Sequence, residues 1–217
     1  MNSLYDFHTH TTLSDGEMLP IELVRRMSVL GYSAVGITDH ADTSNTVSLI
    51  ESLIKIRESA ALYGVRLLCG IEITHVPPQQ IQGLARLAKS SGADLVVVHG
   101  ETPVEPVAPG TNHAACTCGD VDILAHPGFI TIDDAREAEN HGVALELTSR
   151  GGHNRTNGHV ARIAVEAGCM MVVDSDAHAP HDLLPAESKV TIARGAGLTW
   201  EQAEKVMSLN IEDLLKK

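Results

Sequence analysis

The feature that most constrains this chain is an alternation of short apolar runs of β character with spans that have a helical apolar period. The β-type runs fall at residues 4–7, 34–38, 66–73, 94–98, 121–125, 143–147 and 170–173, seven in all. Between them, 20–30 carries Pro20 just inside its start and Gly31 just past its end, and 46–63 stops before Gly64 in the same way. Helical patterns at 81–91, 133–141 and 157–167 follow suit. Such alternation dictates parallel strands joined by right-handed crossovers, with helices covering the sheet. At 217 residues and 43% apolar content the chain can bury one sizeable core, so residues 1–217 are expected to form a single α/β domain.

The residues at the strand ends decide between an open sheet and a barrel. No G-x-G-x-x-G follows the first run, so a dinucleotide-binding sheet has no support. His8, Asp39 with His40, Glu72, His99, His126, Glu146, and Asp176 with His178 each come at or just after the end of a different run. In a barrel those ends converge on one face, whereas in an open sheet the outermost stand far apart. A closed barrel is therefore expected, with these side chains at its mouth.

Taken singly, several have plain readings. His99 suits a hydrogen-bonded interior histidine, Asp15 a helix cap, and Asp39 with His40 a turn. Glu72, near the end of a strongly apolar strand, is harder to dismiss, because a buried carboxylate is costly unless paired or bound to a metal. His8 and His10 in "DFHTHTTLSDG", and Asp176 and His178 in "SDAH", stand two apart, so along a strand each pair aims at one face. Six of the twelve histidines lie at strand ends together with several carboxylates, a set hard to satisfy without ions. Mixed imidazole and carboxylate donors suit zinc, manganese or iron, and the lack of thiolates argues against a structural zinc site. Several donor sets imply several metals. Ions a few ångströms apart hold a bridging hydroxide and screen a phosphoryl group during in-line displacement, so phosphoester hydrolysis is the expected chemistry.

In this order, "HTHTTLSDG", "ITDH", "GIE", "VVVHGE", "ILAHPG", "LELTSR" and "SDAH" resemble the successive motifs of the polymerase and histidinol phosphatase (PHP) superfamily, from Phe7 to His178. The resemblance implies a distorted (β/α)7 barrel and a trinuclear centre of three divalent ions, Zn, Mn or Fe. It implies that His8, His10, Glu72 and Asp176 hold one ion and that Glu72 bridges to a second carried by His99 and His126. Asp15, His40 and His178 would hold the third. The activity implied is that of a metal-dependent phosphomonoesterase acting on a small metabolite such as histidinol phosphate, or on a nucleotide. Two rivals stay open: a metal-dependent hydrolase of C–N or carboxylic ester bonds, and a non-catalytic, metal-stabilised module similar to those attached to bacterial DNA polymerases.

Around that set, Asp39 and Glu101 are candidates for orienting an imidazole, and Asp176 or His178 for protonating a leaving group. A phosphate outside the metal sphere calls for cations, and "SRGGHNRTNGH" supplies Arg150 first, then Arg155 and His153. Arg155 and His159 equally suit the start of a solvated helix. Asn112 and His113 lie in an irregular, proline-containing segment, 99–120, that reads as a lid or binding loop, and are candidates for contacting the rest of the substrate. His75, His141 and His181 are expected at the surface. Cys69, Cys116, Cys118 and Cys169 form no disulfide framework and read as ordinary thiols.

The formal charge of −12 disfavours long nucleic acid as a partner, although three divalent ions would add six positive charges in one place. No run approaches the roughly 20 apolar residues of a membrane span, and the N-terminal stretch has no secretory pattern. A cytoplasmic protein with a small phosphorylated substrate and no membrane partner is expected.

Overall fold

The computed structural model describes residues 4–215. Its strands are β1 (Tyr5–Asp6), β2 (Ala34–Ile37), β3 (His40–Ala41), β4 (Arg66–Ile73), β5 (Leu95–His99), β6 (Ile123–Ala125), β7 (Ala144–Thr148) and β8 (Met171–Asp174). All pair in parallel in the order β1-β2-β4-β5-β6-β7-β8, and β3 resumes beside β4 where β2 leaves off. Each of the seven expected runs contains a strand, in a nearly closed barrel, with β2 ending at Ile37 and the short β3 added beyond the expected 34–38 run.

The helices are α1 (Pro20–Val29), α2 (Thr46–Ile54), α3 (Arg57–Leu62), α4 (Pro78–Ser90), α5 (Thr111–Cys116), α6 (Ile132–His141), α7 (Asn157–Ala167), α8 (Ala186–Gly195), α9 (Trp200–Met207) and α10 (Ile211–Leu215). The 46–63 span is two helices, because the chain leaves helical geometry around Ile56 (φ −100°, ψ 1°). The 99–120 segment is not irregular throughout, since α5 forms inside it.

Alternation along the strands sorts the core into an inside and an outside. Leu68, Leu95, Val97, Ile123, Ala125, Ala144 and Val172 share one buried cluster with Ile211 and Leu214 of α10. The intervening residues Ile71, Val96, Val98, Leu124, Leu145 and Val173 pack against helix residues such as Ile50, Ile81, Leu84, Ala135 and Val160. An ion pair of Arg66, at the start of β4, with Glu212 fixes α10 at the N-terminal end of the strands, opposite the mouth.

Closure between β8 and β1 is made by few backbone bonds. Thr9 and Ala177 form an isolated parallel bridge, where His10 N–H donates to the Ala177 carbonyl and Asp176 N–H to that of His8, both at 2.9 Å. Side chains supply the rest. Asp174 Oδ1 accepts Phe7 N–H at 2.9 Å, and Asp6 Oδ1 accepts Ser175 N–H at 3.2 Å and His8 N–H at 3.3 Å. Fully buried Lys189, from α8, donates to the Tyr5 carbonyl and stands 3.8 Å from Asp174 Oδ1. All four cysteines are buried, and none is in a disulfide. Among the described residues no helix is long and apolar enough to cross a membrane.

Candidate metal centre

Period two carries the inside face of the strands up to the mouth. Glu72 lies an even number of residues beyond Leu68, as do His99 beyond Val97, Glu146 beyond Ala144 and Asp174 beyond Val172, so all four side chains turn into the barrel. Register sets His40 directly beside Glu72. His126 and Asp176 follow β6 and β8 with φ of 30° and 52°, and His75 follows β4 with 53°. These are the non-glycine residues with left-handed φ among those described, and each such position costs on the order of 1–3 kcal/mol unless its surroundings impose it. Gly128, at φ 60°, lets the exits of β5 and β6 meet, because a Cβ there would strike the Glu101 carbonyl oxygen.

All nine residues implied as ligands gather here. Glu72 is central: Oε1 lies 3.4 Å from His8 Nε2 and 3.6 Å from His126 Nε2, while Oε2 lies 2.6 Å from His40 Nδ1 and 3.7 Å from His10 Nε2. Asp176 Oδ1 is 3.2 Å from His10 Nε2 and 3.7 Å from His8 Nε2, and Oδ2 is 3.7 Å from His126 Nε2. Toward the rim, Asp15 Oδ1 stands 3.3 Å from His178 Nε2 and 3.5 Å from His40 Nε2. Most of these separations are long for hydrogen bonds. Those of His8 with Glu72 (3.4 Å), His10 with Asp176 (3.2 Å) and His178 with Asp15 (3.3 Å) fall within the roughly 3.0–3.4 Å between neighbouring donors around an ion with bonds near 2.1 Å.

Glu72 Oε1, Asp176 Oδ1, His10 Nδ1, His99 Nδ1 and His126 Nδ1 are buried without a hydrogen-bond partner among the described residues. Orphaned polar atoms of this kind call for a ligand, and the donor set of imidazoles and carboxylates fits divalent cations. The electrostatics agree. Burial opposes the charge on Glu72 and on Asp176, yet the facing imidazoles, His8 foremost, hold both carboxyls well below the usual range. Burial likewise works against a charged His40, but Glu72 and Asp15 lift it to about 10.

Surrounding residues divide between those that orient the imidazoles and those that fold loops. His8 Nδ1–H donates to Glu146 Oε1 at 2.7 Å, and Glu146 Oε2 accepts His126 N–H at 2.9 Å, so one carboxylate turns His8 Nε2 toward Glu72. Asp39 and Glu101, expected in that role, touch no imidazole. Asp39 accepts Thr11 N–H at 2.8 Å, Thr11 O–H at 2.7 Å and Ser14 O–H at 2.6 Å, shaping the turn that carries Asp15. Glu101 accepts the N–H groups of Gly110 (2.9 Å) and Asn112 (3.0 Å), clamping its segment onto α5. The Asn112 amide is occupied at both ends, by Glu101 N–H and the Pro127 carbonyl, and His113 pairs with Asp134 of α6. Both side chains brace the outer layer, Asn112 from a buried position and His113 from an exposed one.

Arg150 is better placed. Its Nη1 lies 3.3 Å from Asp182 Oδ2, and that oxygen also accepts the N–H groups of His178 (3.0 Å) and Ala179 (2.9 Å), tying the arginine to the His178 turn. Arg155 is exposed, and His159 donates to the Ile130 carbonyl at 2.8 Å, pinning the start of α7. His153 is buried beside His126, where burial first and then the His126 charge push it down to about 4. His141 and His181 are exposed. His75 is exposed as well, but its Nε2 lies 3.3 Å from Glu105 Oε2, which is 3.1 Å from His99 Nε2. Sequence reasoning passed over Glu105, whose proline-rich surroundings carry no period; its nearness to His99 along the chain was the one available signal.

A parallel barrel with buried imidazoles and carboxylates grouped so that they can hold metal defines a class of metal-site barrel proteins. The PHP domain family model matches residues 6–154, and the chain belongs to this family. An uncharacterized protein of Methanocaldococcus jannaschii is 47% identical over 215 residues, 98% of this chain and 99% of the relative. A "Probable phosphatase" of Shewanella piezotolerans is 30% identical across 84% of this chain and 81% of its own. Among solved structures, a "putative histidinol phosphatase" of Listeria monocytogenes matches with a TM-score of 0.62 at 13% identity, over 85% of this chain and 98% of the other, a likeness of fold.

Proposed function

We propose that the protein is a metal-dependent phosphomonoesterase of a small phosphorylated metabolite, such as histidinol phosphate or a nucleotide, working at a trinuclear centre. The observation that carries this reading is the overlap of the donor groups. His8, His10 and Glu72 form one, His10, Asp15, His40 and His178 a second, and His99 and His126 lie in a third, so His10 joins the first two. Glu72 reaches His126 as well. Kinship with a protein named as a phosphatase supports the same chemistry.

When bound, the ions supply a water activated as nucleophile at neutral pH and neutralise charge on the phosphoryl group. The chain's own residues do the rest. Glu146 fixes the ring of His8, Asp39 holds the Asp15 turn, and Asp182 presents Arg150 as a fork for a phosphate oxygen. Asp176 and His178 both stand among the implied ligands, so either would protonate a leaving group only while free of an ion; of the two, His178 is the partly exposed one, at the rim.

The test is a screen of the purified protein, with Mn, Zn or Fe added in turn, over mono-, di- and cyclic phosphoesters that include histidinol phosphate and nucleoside monophosphates. Release of phosphate from monoesters is expected, and Arg150→Ala should raise KM by roughly 10- to 100-fold, as loss of a charge-assisted fork does. Efficient turnover of a non-phosphorylated ester or amide, with Arg150→Ala neutral on phosphoesters, would instead identify a hydrolase of another bond.

A further inference from the structure

The donors at the mouth exceed the nine that the family resemblance implies, and the excess lies in one place. His153 comes from the single-turn 3-10 helix His153–Thr156 that follows β7, and its ring is buried with centroids 4.3 Å from His126 and 5.8 Å from His99. One donor atom from each of the three imidazoles falls within 4.8 Å of the other two. Nε2 of His99 and His153 faces Glu105 and Nε2 of His126 faces Glu72, so Nε2 is the atom each ring would offer to an ion, while each Nδ1 is buried on the far side of its ring.

Glu105 descends on the same spot from the other side. Its Oε2 lies 3.1 Å from His99 Nε2 and its Oε1 3.4 Å from His153 Nε2, so one carboxylate spans two of the three imidazoles. Packing three imidazoles at tilted and T-shaped angles is poor design for an apolar core, since each buries polar nitrogens that the others cannot all satisfy. It is the arrangement expected where nitrogens share a cation, and the two carboxylate distances match the spacing of neighbouring donors around one.

We propose that His153 is a further metal ligand, joining His99, His126 and Glu72 around one ion, with Glu105 as the carboxylate that closes over the same ion from the 101–110 segment. The inference rests on the reading that His99, His126 and Glu72 hold an ion, and it makes that position richer in nitrogen donors than the other two. Substrate binding is no longer the role assigned to His153.

Chelated full-length protein titrated with Co2+, followed by visible absorption and by metal content after dialysis, tests this without relying on activity. Wild type should take up three ions. His153→Ala should weaken one of them by more than about 100-fold, beyond the 10- to 100-fold typical of losing an outer-shell partner, and change its absorption band while leaving the other two in place. Glu105→Gln should weaken the same ion by about tenfold. His153→Gln serves where His153→Ala does not fold. Wild-type affinity and an unchanged spectrum in a folded His153 variant would overturn the proposal alone. A wild-type protein that binds no metal would overturn it together with the phosphoesterase reading.

Discussion

Glu72 shows how much a single strand position can decide. Alternation turns it into the barrel, register sets His40 against it, and burial leaves it no water. His40 gives that contact a pH signature. Its folded pKa is raised from 6.5 to about 10, so in the metal-free protein its pairing with Glu72 and Asp15 contributes stability that is complete below about pH 6.5 and lost as pH rises through about 10. Chelated protein should therefore melt at a lower temperature near pH 9.5 than near pH 7, and His40→Asn should flatten that difference; an equal drop in the variant contradicts the pairing. Most of the nine implied ligands stand out as unusual side chains at strand ends, which needs no tertiary information, whereas Asp15 reads equally as a helix cap and enters the set only through the family resemblance. Partner choice was not legible. Asp39 and Glu101 each look like an acid near a histidine, yet Asp39 bonds the Thr11 turn and Glu101 the start of α5, whereas Glu146 reaches His8 from 138 residues away.

At the scale of elements, the seam between β1 and β8 is the part of the barrel least secured by its backbone. Asp6 and Asp174 take over bonds that a ladder would make, and Lys189 stands by them as a buried counter-charge from α8. Removing one partner of a buried charge network leaves the others uncompensated, typically at about 3–5 kcal/mol. Lys189→Met should lose stability of about that size in urea denaturation of the metal-free protein, and Asp174→Asn added to it should recover part; a loss below about 1 kcal/mol would show that the lysine does not hold the seam. Strand positions were readable to within about two residues because alternation and turn residues agree there. Helices after β8 were not singled out, although Thr199 and Gln202 form a capping box that announces α9. The break between α2 and α3 and the helix inside 99–120 left no periodic mark, since each involves too few residues to establish a period.

For the whole molecule, the fold and the site are two consequences of one pattern. Parallel strands close into a barrel, closure brings the strand ends together, and those ends carry the polar residues that an apolar core has no use for. Of the carboxylates in the implied ligand set, Glu72 and Asp176 are buried and Asp15 stands at the exposed rim, so the net charge of −12 is carried mainly by acids outside the centre. The direct measurement is phosphate release by chelated protein before and after Mn, Zn or Fe is restored, with metal content determined on the same samples for wild type, His10→Ala and Asp176→Ala. Hydrolysis should be absent without metal, return with it in wild type, and fail in both variants along with metal uptake. Hydrolysis that survives chelation, or that persists in Asp176→Ala with wild-type metal content, would contradict the account.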